Sequence, residues 1–179
     1  MAPELKSWIT EDGEEHLWQG DAAIWAETAP WLFPFLGRLC EARYTYKGES
    51  YPMTLHGFAK RLPFEVLEEQ EDSVLLELQS NEQTRKMFPF EFYFRLRYTL
   101  ANHGYQVETF IFHRRESAEE TMHYAVGAHP GFSLSHPLAE YRLELPEAKL
   151  DELEHFVFSP QGLVLESQAL PNDIWVEDA

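Results

Sequence analysis

The stretch from 90 to 100 alternates between two kinds of side chain, and this constrains the fold more than any other part of the sequence. Apolar or aromatic residues recur at a spacing of two, namely Phe90, Phe92, Phe94, Leu96, Tyr98 and Leu100. The positions between them are mainly polar: Glu91, Tyr93, Arg95, Arg97 and Thr99. Because successive side chains of a β-strand point to opposite faces, the pattern predicts a long strand with one face on a core.

Further strand patterns, separated by turn signals, lie on both sides of this one. They are predicted over residues 43–53 (a hairpin), 64–69, 73–79, 105–113, 122–128, 141–145 and 156–158. One helical turn is predicted after Ser80 or Asn81, either of which can cap it. The apolar segment 30–39 contains two prolines, which predicts an irregular buried wall of a site or a crossing between strands. The pattern as a whole predicts an all-β fold, an antiparallel β-sandwich in a single domain.

The composition narrows the range of partners. The chain of 179 residues has 31 acidic and 14 basic side chains and a net charge of −17. This charge repels polyanions, so nucleic acid is not expected as a partner. No membrane partner is expected either, because there is no basic amphipathic stretch and no apolar run near the roughly 20 residues that span a bilayer.

Cys40 is the only cysteine of the sequence, so no disulfide can form within the chain. This fits a reducing compartment. Cys40 could act as a thiol nucleophile, but no base stands near it in the sequence, which favours a small buried residue. The N-terminal residues lack the charged and apolar regions of a signal peptide. The sequence therefore predicts a soluble, cytoplasmic protein.

Three loops carry side chains suited to acid–base chemistry or to a hydroxyl-rich ligand. Arg38, in a Gly-Arg-Leu motif, offers a guanidinium fork for hydroxyl or carboxylate oxygens. His56, in Leu-His-Gly-Phe, lies beside a glycine where a ligand can approach the backbone. His129, in Gly-Ala-His-Pro-Gly, follows a predicted strand on backbone that the proline restricts. Plainer interpretations are an ion pair for Arg38 and turn histidines for the other two, and metal ligation by the histidines is disfavoured because no third ligand is well spaced.

In their order along the chain, these motifs resemble the aldose 1-epimerase or galactose mutarotase-like family, and most of all its LacX-type branch. The resemblance extends over nearly the whole chain. It rests on Trp25 and on segments 4–7, 17–21, 30–34, 37–39, 44–46, 56–59, 80–82, 88–90 and 127–132. So many ordered matches are more specific than any single motif.

The resemblance implies a galactose mutarotase-like β-supersandwich that interconverts the α- and β-anomers of an aldose. In that family a general acid histidine protonates the ring oxygen, and a general base glutamate takes the proton of the anomeric hydroxyl. By its matching motif, His129 is expected to be the general acid. His56 is expected to be a second catalytic residue that binds and polarises near the ring oxygen. Arg38, His56 and Lys60 are expected to bind the substrate, a hexose or a related aldose, and no metal or other cofactor is implied.

The chain departs from the family pattern at two positions and in its length. Lys60 stands where the family often has an arginine, and it lacks a bidentate fork, although Arg61 follows it. Ala29 stands where a polar residue is common, so a hydrogen bond to the sugar is expected to be missing. The family's first strands, and the C-terminal segment that carries the base glutamate, have no counterpart here. Residues 1–179 are therefore expected to form one partial domain, truncated at both ends.

A truncated sandwich has open sheet edges, which favour self-association or a complementing chain. Without the base, the chain by itself is expected to be a weak or inactive mutarotase. The alternative is a non-catalytic carbohydrate-binding β-sandwich that keeps Arg38, His56 and His129. A third possibility is a β-sandwich interaction protein.

Overall fold

The computed structural model describes residues 3–102, 104–115, 120–141 and 154–169. Its sheets are antiparallel and helix is scarce, which confirms the predicted all-β fold class. The strands are β1 (Trp31–Leu32), β2 (Arg43–Tyr46), β3 (Glu49–Pro52), β4 (Glu65–Glu69), β5 (Ser73–Gln79), β6 (Phe92–Ala101), β7 (Gly104–His113), β8 (Gly127–Ala128), β9 (Glu154–Phe158) and β10 (Val164–Ala169). Among the residues described, no helix has the length and apolar character that crossing a membrane requires.

The chain forms two compact units, Met1–Ser133 and Leu134–Ala179. In the second unit, β9 and β10 pair as an antiparallel hairpin, and the strand predicted at 156–158 lies within β9. The strand predicted at 141–145 lies outside the described residues except for Tyr141, which belongs to no strand. All candidate site residues belong to the first unit. That residues 1–179 form one partial domain stays a prediction.

The first unit is built on a sheet with the strand order β4-β5-β6-β7. The alternation predicted for β6 is confirmed over Phe92, Phe94 and Leu96, which are fully buried, whereas Leu100 at the end of the same face is 67% exposed. On the opposite face, Arg95 Nε donates to Glu77 Oε2 of β5 at 2.7 Å. The hairpin of β2 and β3 and the pairing of β4 with β5 are also as predicted.

Phe33 is fully buried and packs against β6. The centroid of its ring lies 5.1 Å from that of Phe92, 4.9 Å from that of Phe94 and 5.9 Å from that of Phe88. Residues 30–34 are all buried, so the first half of the segment predicted over 30–39 forms a buried wall, whereas Leu36, Gly37 and Arg38 in its second half are exposed.

The predicted strand over 122–128 is wrong in its length, because only β8 forms. β8 pairs with β1, which lies between Pro30 and Pro34. The carbonyls of these prolines accept hydrogen bonds from the N–H groups of His129 (3.1 Å) and Ala125 (2.9 Å). A proline has no N–H with which to return a ladder bond, so the ladder ends on both sides of β1.

The prediction that Cys40 is buried is also wrong, because its side chain is exposed. Cys40 begins a 3₁₀ turn, Cys40–Ala42, whose residues are all exposed. Glu41 and Ala42 in this turn both have a φ of 52°. The turn therefore lies at the surface just before β2, and the side chain of Cys40 does not pack in the core.

The predicted helical turn is α1 (Glu82–Arg85), and Asn81 is its N-cap. The Asn81 Oδ1 accepts hydrogen bonds from the N–H groups of Gln83 (2.9 Å) and Thr84 (3.0 Å). In return, the Asn81 N–H donates to Thr84 Oγ1 at 2.8 Å. This reciprocal arrangement satisfies donors that the first turn of a helix otherwise leaves free.

We expect Asn81→Ala to lower the free energy of unfolding by about 1 kcal/mol, because two backbone N–H groups lose their acceptor. Urea unfolding followed by tryptophan fluorescence measures this difference. Gln83→Ala is the matched control, since its exposed side chain takes no part in the cap, and it should change the value by less than about 0.5 kcal/mol. Equal effects of the two substitutions would contradict the capping role.

Candidate functional site

Segment 28–37 positions both candidate histidines through backbone hydrogen bonds. On one side, the Pro30 carbonyl accepts from the His129 N–H at 3.1 Å. On the other side, the Gly37 carbonyl accepts from the His56 N–H at 3.4 Å. Two loops that are far apart in the sequence are thereby held on the same segment.

The rings of His56 and His129 lie edge to face, with centroids 5.5 Å apart and an angle of 62° between their planes. His56 Nδ1 is hydrogen-bonded to the Leu36 carbonyl. Only an N–H can bond to a carbonyl oxygen, so Nδ1 carries a proton and Nε2 of the neutral ring offers a lone pair. The φ of His56 is 66°, a region that few residues other than glycine adopt. The structure therefore brings both predicted histidines together and fixes the tautomer of one.

His129 is exposed on one side and contacts an aromatic ring on the other. Its ring centroid lies 5.0 Å from that of Trp25. The Trp25 carbonyl in turn accepts a hydrogen bond from Trp18 Nε1 at 2.7 Å. A Cβ at Gly131 would lie 2.7 Å from Trp25 and 2.8 Å from Trp18, so the close approach of these indoles requires a glycine there. The arrangement gives the imidazole of His129 an aromatic wall of the kind that can cover the apolar face of a sugar.

Lys60 lies in a 3₁₀ turn, Ala59–Arg61, that follows the His56 loop. Its Nζ donates to Glu27 Oε2 at 2.7 Å. The side chain of Lys60 is only 7% exposed, whereas that of Glu27 is 34% exposed. The ammonium predicted to bind the substrate is therefore held by a carboxylate that stands nearer to solvent. Sequence reasoning missed Glu27, because an ion pair between residues distant in sequence has no local signature.

Arg38 is exposed and makes no hydrogen bond or ion pair with any residue that the structure describes. It directly follows Gly37, whose carbonyl binds the His56 loop. Its guanidinium is thus available to an external ligand beside that loop.

The two departures from the family pattern have structural consequences. Arg61 Nη1 donates to Thr54 Oγ1 at 2.7 Å, so this nitrogen of Arg61 supports the loop. Ala29 is buried, and its N–H donates to Glu4 Oε1 at 2.9 Å. The methyl group of Ala29 has no polar atom to offer a ligand.

The pKa of His56 lies below its ordinary value, mainly because burial disfavours the charged ring. The positive charges of Lys60 and of a protonated His129 lower this pKa further. The hydrogen bond to Leu36 and the charge of Glu27 act in the opposite direction. His56 is therefore neutral near pH 7, as a residue that accepts a hydrogen bond through Nε2 must be.

We expect Lys60→Met to raise the pKa of His56, because a cation that opposes protonation of the ring is removed while Glu27 remains. A proton NMR titration of the histidine resonances measures the midpoint. Lys86→Met removes an exposed lysine at the end of α1 and should leave the midpoint unchanged. An unchanged or lower midpoint in Lys60→Met would contradict this assignment of charges.

The lowered pKa of His56 also predicts how stability depends on pH in the unmodified chain. The stability that His56 contributes should be complete above about pH 6.5 and lost as the pH falls through its lower folded-state pKa.

A cavity of about 680 Å³ also lies in the first unit, away from the histidines. Its lining includes Trp8, Phe64, Val66, Leu100 and Tyr105, and none of the predicted site residues. Its described lining contains the carboxylates of Glu4, Glu69, Glu71 and Asp72 but no imidazole, lysine or arginine.

Solved structures match this fold over most of the chain. A galactose mutarotase-like protein from Lactobacillus casei has a TM-score of 0.81 at 27% identity, over 97% of this chain and 60% of that one. A galactose mutarotase related enzyme from Lactobacillus acidophilus has a TM-score of 0.71 at 39% identity, over 78% of this chain and 46% of that one. The antiparallel sheets and their strand order therefore define a β-sandwich of the galactose mutarotase-like class.

Comparison of the sequence with family models and curated proteins identifies the family. The family model described as Aldose 1-epimerase matches residues 4–172, and the chain belongs to that family. The plasmid form of protein LacX from Lactococcus lactis subsp. lactis is 32% identical over 160 residues, which cover 83% of this chain and 52% of LacX. The chain thus spans about half the length of the curated relatives it matches.

Proposed function

We propose that this protein interconverts the α- and β-anomers of an aldose by acid–base opening of the sugar ring. His129 is the general acid, and His56 binds near the ring oxygen, where its Nε2 accepts a hydrogen bond from a sugar hydroxyl. Arg38 holds sugar hydroxyls, while Lys60 acts through the carboxylate of Glu27. Membership of the aldose 1-epimerase family supports a mutarotase-like isomerase in general, and the residue roles are our proposal.

The observation that carries the proposal is the pair of facing imidazoles, 5.5 Å apart between centroids. Proton transfer near neutral pH favours imidazole, and two adjacent rings can bind neighbouring sugar oxygens, one ring as a donor and the other as an acceptor. The proton on His56 Nδ1 is held by Leu36, so this ring presents Nε2 to the ligand. His129 is open to solvent and can be reprotonated between turnovers.

The proposed reaction moves two protons and breaks one bond. Protonated His129 gives its proton to the ring oxygen as the bond between that oxygen and the anomeric carbon breaks. A base takes the proton of the anomeric hydroxyl, and the open-chain aldehyde forms. Rotation of the aldehyde and addition of the freed hydroxyl to its other face give the second anomer. The residue that acts as this base is not assigned in the present chain.

Polarimetry of freshly dissolved α-D-glucose and α-D-galactose tests the proposal. We expect the chain to accelerate mutarotation modestly above the spontaneous rate in buffer, because general acid catalysis by His129 supplies only one half of the acid–base pair. Proton NMR of the histidines should show sugar-induced shifts at His56 and His129. Binding without acceleration would favour the non-catalytic carbohydrate-binding alternative. If the chain neither accelerated mutarotation nor showed sugar-induced shifts, the proposal would be overturned.

A further inference from the structure

Glu27 is a charged group of the site to which the proposed reaction gives no direct contact with the sugar. It lies two residues after Trp25, whose ring packs on His129, and it holds Lys60, which follows the His56 loop. The Glu27 carboxylate thus joins the segments that carry the two imidazoles. Its charge also acts on His56, in opposition to that of Lys60.

The Glu27 carboxylate lies nearer to solvent than the Lys60 ammonium, and this difference affects which ligands can bind. Lys60 is almost completely buried behind Glu27, so a ligand that arrives from solvent meets the carboxylate first. Only Oε2 of Glu27 is engaged by Lys60. Among the residues described, Oε1 has no hydrogen-bond donor, and a carboxylate oxygen can accept from sugar hydroxyls. A phosphate or carboxylate group at this place would face a like charge and could not pair with the engaged ammonium.

We propose that Glu27 is a ligand-binding residue that accepts hydroxyl hydrogen bonds and selects an uncharged aldose over a sugar that carries an anionic group. This selectivity rests on the proposed function, since it concerns the same ligand site. Arg38 remains available at the site, and because a guanidinium binds anions more strongly than hydroxyls, the proposed selectivity requires the anionic group of a ligand to lie nearer to Glu27 than to Arg38. The chemical class of substrate is a neutral hexose or a related aldose.

Binding of neutral and phosphorylated sugars tests this inference. Titration of the 179-residue chain with D-galactose, D-glucose and their 6-phosphates, followed by histidine and indole NMR shifts, gives four dissociation constants. We expect the unmodified chain to bind the neutral sugars about tenfold or more tightly than the 6-phosphates. Glu27→Gln should weaken the binding of the neutral sugars by about tenfold, because a charge-assisted hydrogen bond is lost. It should strengthen the binding of the 6-phosphates, because a repulsion between like charges is removed.

Glu11→Gln is the matched control, because it removes one negative charge from an exposed side chain that has no partner among the described residues. It should leave all four constants unchanged. A chain that binds 6-phosphates at least as tightly as neutral sugars would overturn the inference and leave the proposed function standing. Equal effects of Glu27→Gln and Glu11→Gln, with thermal unfolding showing both variants folded, would overturn it as well. Absence of binding by all four sugars would overturn both the inference and the proposed function.

Discussion

Replacing Gly57 by alanine is expected to lower the free energy of unfolding by about 4 kcal/mol or more, enough to leave much of the chain unfolded. A Cβ at this position would lie 2.1 Å from the Phe33 carbonyl oxygen, 2.4 Å from its carbon and 2.7 Å from the Pro34 nitrogen. These are backbone atoms of the buried wall, so they cannot move aside as a flexible side chain can. The Phe33 carbonyl also accepts hydrogen bonds from Phe58 (2.9 Å) and Ala59 (3.2 Å), which any shift would break.

Gly13→Ala separates steric overlap from backbone strain in this experiment. Gly13 has a φ of 85°, close to the 73° of Gly57, but no atom lies within 4 Å of its Cβ position. The control should therefore cost about 1–2 kcal/mol, the penalty of a left-handed conformation alone. Urea unfolding of the two variants gives the comparison. A loss at Gly57 no larger than that at Gly13 would show that the His56 loop does not depend on its close approach to Phe33.

The strands were predictable wherever the pattern that forms them is local. The alternation at Phe92, Phe94 and Leu96 records which face is buried, and a period of two has no other regular interpretation. The length of β8 was not predictable in this way, because it depends on the prolines of a partner segment distant in the sequence. An alternating pattern shows that a segment can form a strand, but the length of the hydrogen-bonded ladder depends on both of the paired segments.

The site was predictable in part for a related reason. Arg38, His56 and His129 each stand beside glycine or proline, which mark special backbone in the sequence itself, and the resemblance to a family gave them an order. Glu27 has no such mark. Its place in the site follows from its ion pair with Lys60, which only the folded chain brings together. That contact is the reason why we propose that Lys60, expected from the sequence to bind the sugar, supports the carboxylate of Glu27.

Replacing His129 by alanine is expected to remove most of the protein-dependent rate of mutarotation, because a general acid usually contributes about 10²–10⁴-fold, which is more than the modest acceleration expected of this chain. The side chain is exposed, so its loss removes mainly the contact with Trp25 and should cost no more than about 1.5 kcal/mol of stability. Polarimetry gives the rate, and urea unfolding confirms that the variant is folded. His123→Ala is the matched control, because His123 is an exposed histidine nearby on the same segment that has no partner among the described residues.

The kinetic pattern of His129→Ala separates its proposed role from one in binding. A general acid acts in the transition state, so kcat and kcat/KM should fall together while the sugar still binds, as reported by the NMR shift of His56. A variant that keeps kcat but raises KM would assign His129 to binding of the sugar. A variant with the same rate as His123→Ala would remove His129 from the reaction, and the neutral His56 could not supply the missing proton because its Nδ1 hydrogen is held by the Leu36 carbonyl.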